Sequence, residues 1–214
     1  MRRNASLLAL AALIAAAATP LAAQGRDRGL VELPDRPMRS GLYLTGGIGD
    51  GLEQYRYHDL SQYTDWLSSP AAVLRIGGTP NANVRLGGEI FGWWNTTYDT
   101  NLQENTTETF TAVLLDAQLY PARRSGFYVK GGIGIGHSGT SFELEESIGK
   151  SGFVFSAGAG YDIPLSRHVS IAPTVDFYVG SFNHAGDPTD SYTERVLNIG
   201  ASLTLQSGGR GWRR

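Results

Sequence analysis

The chain has 214 residues, enough for one barrel or sandwich domain with a real core, and its formal charge of -2 offers no basic footprint for nucleic acid. It has no cysteine, which excludes disulfides, thiolate metal sites and a cysteine nucleophile. Its 28 glycines follow no collagen period and concentrate inside apparent strands, where glycine weakens a soluble sheet, so they point to a tightly curved or crowded wall.

Residues 1–23 read as a cleaved signal peptide. Arg2 and Arg3 form a positive n-region and Leu7 to Ala18 an apolar h-region. Leu21-Ala22-Ala23 is a small-residue cleavage site before Gln24. No later apolar run has the length of a transmembrane helix, so a membrane-integral form of this chain must be a closed barrel, because lipid tolerates no unpaired sheet edge. Residues 24–40, polar with Pro34 and Pro37, read as a periplasmic lead-in.

Eight strands follow. The first runs from Gly41 to about Gly51, with Leu42, Leu44, Gly46 and Ile48 on one face and Tyr43, Thr45, Gly47 and Gly49 on the other. An aromatic-rich loop, Leu52 to Ser69, leads to a second strand, Ala71 to Gly78, and a tight turn at 79–83. The third runs from Val84 to about Thr97, with Val84, Leu86, Ile90 and Trp94 opposed to Arg85, Glu89, Phe91 and Trp93. A polar loop at 98–106 precedes the fourth, about Thr107 to Tyr120, and a turn at 121–125 precedes the fifth, GFYVKGGIGIG from Gly126 to Gly136. This strand repeats the first at an offset of 85, with identity at Gly41/Gly126, Tyr43/Tyr128, Gly46/Gly131, Gly47/Gly132, Ile48/Ile133, Gly49/Gly134 and Gly51/Gly136.

A long loop at 137–150 carries Glu143, Glu145 and Glu146. The sixth strand is about Phe153 to Ile163 and the seventh Val169 to Gly180, where Pro173 calls for a bulge. A polar loop at 183–191 leads to the eighth, about Tyr192 to Leu205. Connections alternate long and short, the pattern of long extracellular loops and short periplasmic turns, and the strands have roughly the 9–11 residues that cross a bilayer on a tilt.

Alternation alone does not say which face meets lipid, since a soluble eight-stranded barrel shares it. Three features favour a membrane barrel. The polar face carries Gly, Ser, Thr and scattered charges rather than a crowd of Lys and Glu. Glycine there suits a cramped lumen. Aromatics gather at strand ends, Trp94, Tyr98, Phe153, Phe182 and Tyr192 near the long loops and Phe127 and Tyr161 near the short turns, as two interfacial girdles. Charges on the polar face then lie inside and must pair. Arg75, Arg85, Glu89, Asp116 and Lys130 lie on strands two to five, and Asp162, Asp176 and Glu194 on strands six to eight. Folding about the turns sets Asp116 opposite Lys130 and Arg75 near Glu89, an interior network that fixes register, with a gated polar path as the lesser alternative. A large open pore is excluded at eight strands.

By these carriers the chain resembles the eight-stranded OmpA/OmpX-type barrels of the outer membrane protein beta-barrel domain family. The resemblance spans Gly41 to Leu205 and rests on the two glycine-rich repeats, the hairpin FSAGAGYDIPLSRHVSIAPTVDFYVG and the last strand, NIGASLTL. It implies an all-β, antiparallel up-and-down transmembrane barrel over 41–206; a tail at 207–214 departs from the family pattern, and the peptidoglycan-binding module of full-length OmpA-type proteins is not expected. It also implies that the last strand is an assembly signal read by the barrel-assembly machinery, through Asn198, Gly200, Leu203 and Leu205. Leu205 stands where the family usually has an aromatic, and a tail follows it.

Catalysis finds little footing. His137 and Ser138 are adjacent, so on a strand they point to opposite faces, and the family's lipid A deacylase pattern has one residue between them. His58, His168 and His184 are scattered and lack metal spacing. The acidic run at 143–146 reads as a solvated loop, and the sequons at Asn95 and Asn105 as chance. The expectation is an outer-membrane protein of a Gram-negative bacterium without catalytic residues, metal or cofactor. It is a monomer embedded in lipid and lipopolysaccharide that strengthens the membrane and presents loops for adhesion or a surface ligand. A narrow solute channel and a lipid A acyl hydrolase are the alternatives.

Overall fold

A computed structural model describes residues 39–57, 62–99, 104–122, 125–142, 148–184 and 187–207. The signal-peptide reading, most of the lead-in, Glu143, Glu145, Glu146, His58 and most of the tail lie outside these residues.

The strands are β1 (Gly41–Tyr57), β2 (Leu67–Asn81), β3 (Val84–Asp99), β4 (Glu104–Leu119), β5 (Phe127–Phe142), β6 (Ile148–Tyr161), the two-residue β7 (Ile163–Pro164), β8 (Val169–His184) and β9 (Asp187–Gln206). Each long strand pairs antiparallel with its neighbours. β1 also pairs with β9, and β6 with β8, so eight long strands close on themselves. The short β7 continues β6: Gly160 faces Thr174 and Ile163 faces Ile171 in one unbroken register. The lapse between them is where Pro173 sits. A residue without an N–H needs no partner there, so the bulge expected at Pro173 is not required, and β8 runs on in register with β9.

The alternation predicted for the two faces places the apolar set outward. Leu42, Ile48, Leu115, Ile133, Ile135 and Phe153 are exposed on the wall, while Tyr43, Arg75, Glu89, Leu114 and Tyr178 fill the lumen. The outward face turns polar at one level around the barrel: Asp50 bonded to Ser68, Thr111, His137 bonded to Ser151, Ser181 and Arg195. On β5 the apolar stretch below this belt is Phe127 to Ile135. About nine residues rise ~30 Å along the strand, or ~23 Å across at a tilt of ~40°, close to the ~25 Å apolar band of an outer-membrane barrel.

The strands do not stop at the belt. β5 continues to Phe142, β1 to Tyr57, and β9 begins at Asp187. Much of what reads as long loop is therefore hairpin. The reason is backbone accounting: pairing with a neighbour satisfies N–H and C=O groups as well above the bilayer as within it, and the Thr-rich segments at 96–97 and 106–111 have good strand propensity.

Inward glycines in the repeated strands sit where a side chain has no room. A Cβ on Gly47 would lie 2.8 Å from Val73 Cγ1, and one on Gly132 2.6 Å from Ser156 Oγ.

Candidate functional site

The lumen is built in layers, each assembled from side chains on several strands. At the end that carries the short turns, Arg85 of β3 lies 3.2 Å from Asp162 and donates to Tyr120 Oη at 2.7 Å and to Gln206 at 3.2 Å. The Tyr120 hydroxyl donates in turn to Asp162 at 2.9 Å. Arg39, just ahead of β1, stacks its guanidinium 3.6 Å above the Tyr120 ring and lies 3.8 Å from Asp162. Sequence reading missed Arg39 because it lies in a segment with no strand period.

The middle layer is a four-charge cluster. Glu89 of β3 accepts from Arg75 and from Lys130, and from the Tyr178 hydroxyl at 2.8 Å. Arg75 also donates to Asp176 at 2.8 Å, and Lys130 lies 3.4 Å from the same carboxylate. All four charged side chains are essentially excluded from solvent. Two positive and two negative groups therefore neutralise one another in a volume where a lone charge would be very costly. Arg75 stands opposite Glu89 across the β2–β3 pairing.

Asp116 is a correction. It faces Gly132, and Lys130 faces Gln118 instead. The chain turns around 120–126 two residues off the symmetric fold assumed from the sequence, and Lys130 reaches across the lumen to β3 and β8. Asp116 lies 3.5 Å from the Gln118 amide nitrogen, and its Oδ1 has no partner among the described residues.

Above the charges lies an apolar layer that the sequence reading did not anticipate inside a polar lumen. Phe91 stacks on Tyr178 with centroids 3.8 Å apart, Phe110 meets Phe182 edge-on at 5.7 Å, and Trp93, Val154 and Val196 complete the plug. The Trp93 indole donates to the Gly51 carbonyl at 2.9 Å. Phe182, read as a girdle residue, is fully buried here, and Tyr192 packs beside it at 5.5 Å. Phe182 continues the inward parity of Asp176 and Tyr178 on β8, and Tyr192 that of Glu194 and Val196 on β9. Trp94, Tyr98, Phe153, Phe127 and Tyr161 are exposed on the outside.

Beyond the polar belt, the hairpin ends of β1, β4, β5, β6 and β9 enclose a vestibule with a cavity of about 350 Å³. Glu53, Glu108 and Glu194 line it, with Tyr55, Tyr192 and Lys150. Glu53 and Glu194 are each only 4% exposed, and Glu53 Oε1 and Glu194 Oε2 have no hydrogen-bond partner among the described residues. Burial, with Glu194 and Glu108 nearby, pushes the Glu53 carboxyl up to about 9. Burial likewise pushes Glu194 up to about 8. Glu194 thus stands apart from the ion pairs it was grouped with. Glu53 went unnoticed because its segment read as loop, where the alternation of Gly51, Glu53 and Tyr55 was the available signal; Glu108 stood at the start of the fourth strand and was not singled out.

His137 points outward, 3.3 Å from Ser151, while Ser138 is buried on the inner face. No group of three His, Cys, Asp or Glu able to hold a metal occurs among the described residues. In β9, Asn198 is buried in the lumen and Leu203 and Leu205 are exposed on the wall.

The family model described as outer membrane protein beta-barrel domain matches residues 6–204. Among solved structures the chain is similar to Ail, the attachment invasion locus protein of Yersinia pestis, in complex with the heparin analogue sucrose octasulfate. The identity is 12%, over 77% of this chain and 99% of that one, with a TM-score of 0.55. It is also similar to Neisserial surface protein A, at 9% identity over 78% of this chain and 97% of that one, TM-score 0.52. Identities this low show a shared fold and no more. No curated protein matches the chain in sequence.

Proposed function

The chain belongs to the outer membrane protein beta-barrel domain family and lies in the outer membrane of a Gram-negative bacterium, and from that premise we propose a non-enzymatic role that is structural and surface-presenting. The barrel reinforces the membrane, and its hairpins, carried beyond the polar belt, offer an interaction surface. The single observation that supports this most is the filled lumen. A charge cluster neutralised by its own partners and an aromatic plug stacked on it leave the interior occupied by side chains, as expected for eight strands. The separation of His137 from Ser138 on opposite faces supports the absence of a hydrolytic pair.

The attachment protein's name supports a surface-contact role in general terms. Its sulfated ligand is a poor guide to the vestibule here, where the buried side chains are acidic. Recognition of β9 by the assembly machinery and a monomeric state are part of the same reading.

The test is conductance of the refolded protein in a planar bilayer. A silent trace is expected. Stable, stepwise conductance would overturn the structural reading in favour of a narrow channel. Fatty-acid release from lipopolysaccharide, unaffected by His137→Ala or abolished by it, separates the third possibility; no release is expected.

A further inference from the structure

The vestibule gathers three acidic side chains, and burial keeps two of them, Glu53 and Glu194, protonated until a cation enters. Buried polar groups in a native protein find partners, and those that do not call for an explanation. Glu53 and Glu194 each present an oxygen without a partner among the described residues, at 4% exposure, on neighbouring strands, into the same cavity. Glu108 is a third carboxylate on the rim. Against these three, the described residues of the cavity lining include one cation, Lys150, which lies 5.3 Å over the Tyr192 ring. The middle layer of the same lumen balances its charges two against two; this one does not.

We propose that the vestibule is a binding site for a small organic cation of the linear polyamine class, held by the carboxylates of Glu53, Glu194 and Glu108 and by the rings of Tyr55 and Tyr192. An ammonium group supplies up to three donors, which matches carboxylate oxygens that lack donors. Charge-assisted bonds of this kind are about twice as strong as neutral ones. Aromatic faces take the methylene stems and add cation–π attraction. A divalent metal fits less well, because the acidic side chains are not gathered as a metal's ligands are. At about 350 Å³ the cavity lies at the small end of ligand pockets (~300–1,000 Å³).

Isothermal titration of the refolded protein in detergent with spermidine, at low salt, tests this. Saturable one-site binding is expected. The pair Glu53→Gln with Glu194→Gln should weaken it at least ten-fold and Glu108→Gln several-fold, while Asp50→Asn, on the outer wall, should leave it unchanged. Folding of each variant is read from gel migration before boiling. If the double variant does not fold, Glu108→Gln decides alone. Three results would overturn the proposal: no saturable uptake by the folded wild type, equal binding by a folded variant lacking these carboxylates, or stoichiometric displacement of spermidine by equimolar calcium, which would make the site a metal site. None of these bears on conductance, so the proposal and the structural role fail separately.

Discussion

Glu89 is the residue whose removal should disturb the lumen most. It accepts from Arg75, Lys130 and Tyr178 at once and is fully excluded from solvent. Glu89→Gln leaves two cations facing one carboxylate, Asp176. Breaking a buried pair by deleting one partner costs about 3–5 kcal/mol, chiefly because the survivor is stranded. Lys130→Met should cost a similar amount, by stranding Glu89 or Asp176. The double variant restores neutrality, with Arg75 against Asp176, so its cost should fall short of the sum of the singles by more than ~1–2 kcal/mol. The assay is urea unfolding of the barrel in lipid, scored by the fraction that migrates as folded before boiling. As a reference, Asp116→Asn combined with Lys130→Met should couple less, since Asp116 faces Gly132 and makes no ion pair with Lys130 among the described residues. Additive costs for Glu89 and Lys130, or single costs below ~1 kcal/mol, would falsify the cluster as the lumen's organising interaction.

Three further outcomes follow from the same structure. Gly134→Ala should block refolding, because its Cβ would collide with the Val113 carbonyl of the neighbouring strand, whereas Gly46→Ala, with nothing within 4 Å, should refold in normal yield; similar yields would refute the close approach. Phe110→Ala and Phe182→Ala should each destabilise the barrel by about 3–5 kcal/mol through the cavity left in the apolar plug, read from the same urea midpoint, and a cost near zero would mean the layer is loosely packed. Stability should fall with rising pH: with Glu53 held up to about 9 and Glu194 up to about 8, against an ordinary value of 4.5, the folded state binds more protons than the unfolded one between about pH 5 and 9. The urea midpoint should therefore be higher at pH 6 than at pH 9.5, and flatter in the Glu53→Gln, Glu194→Gln variant; an equal slope in both would remove these carboxyls as the cause.

What the sequence determined by itself was the wall. Period-two alternation over Leu42 to Ile48, Val113 to Leu119 and Phe127 to Ile135 is a local property of each strand, and a strand with two unlike faces has two unlike surroundings. Strand number followed from it without any knowledge of contacts, and the outward apolar face followed once the glycine-rich polar face and the aromatics at strand ends were added. The pairing of Arg75 with Glu89 was legible for a related reason: a short turn at 79–83 leaves little freedom of register. What only the tertiary structure decided was everything that crosses the lumen. Lys130 meets Glu89 and Asp176 rather than Asp116, Phe91 stacks on Tyr178, and Glu53 shares a cavity with Glu194 and Glu108. Those contacts join strands that are distant in sequence, and they depend on the stagger with which the sheet closes. Closure is a property of all eight strands together, so no single strand carries its signature.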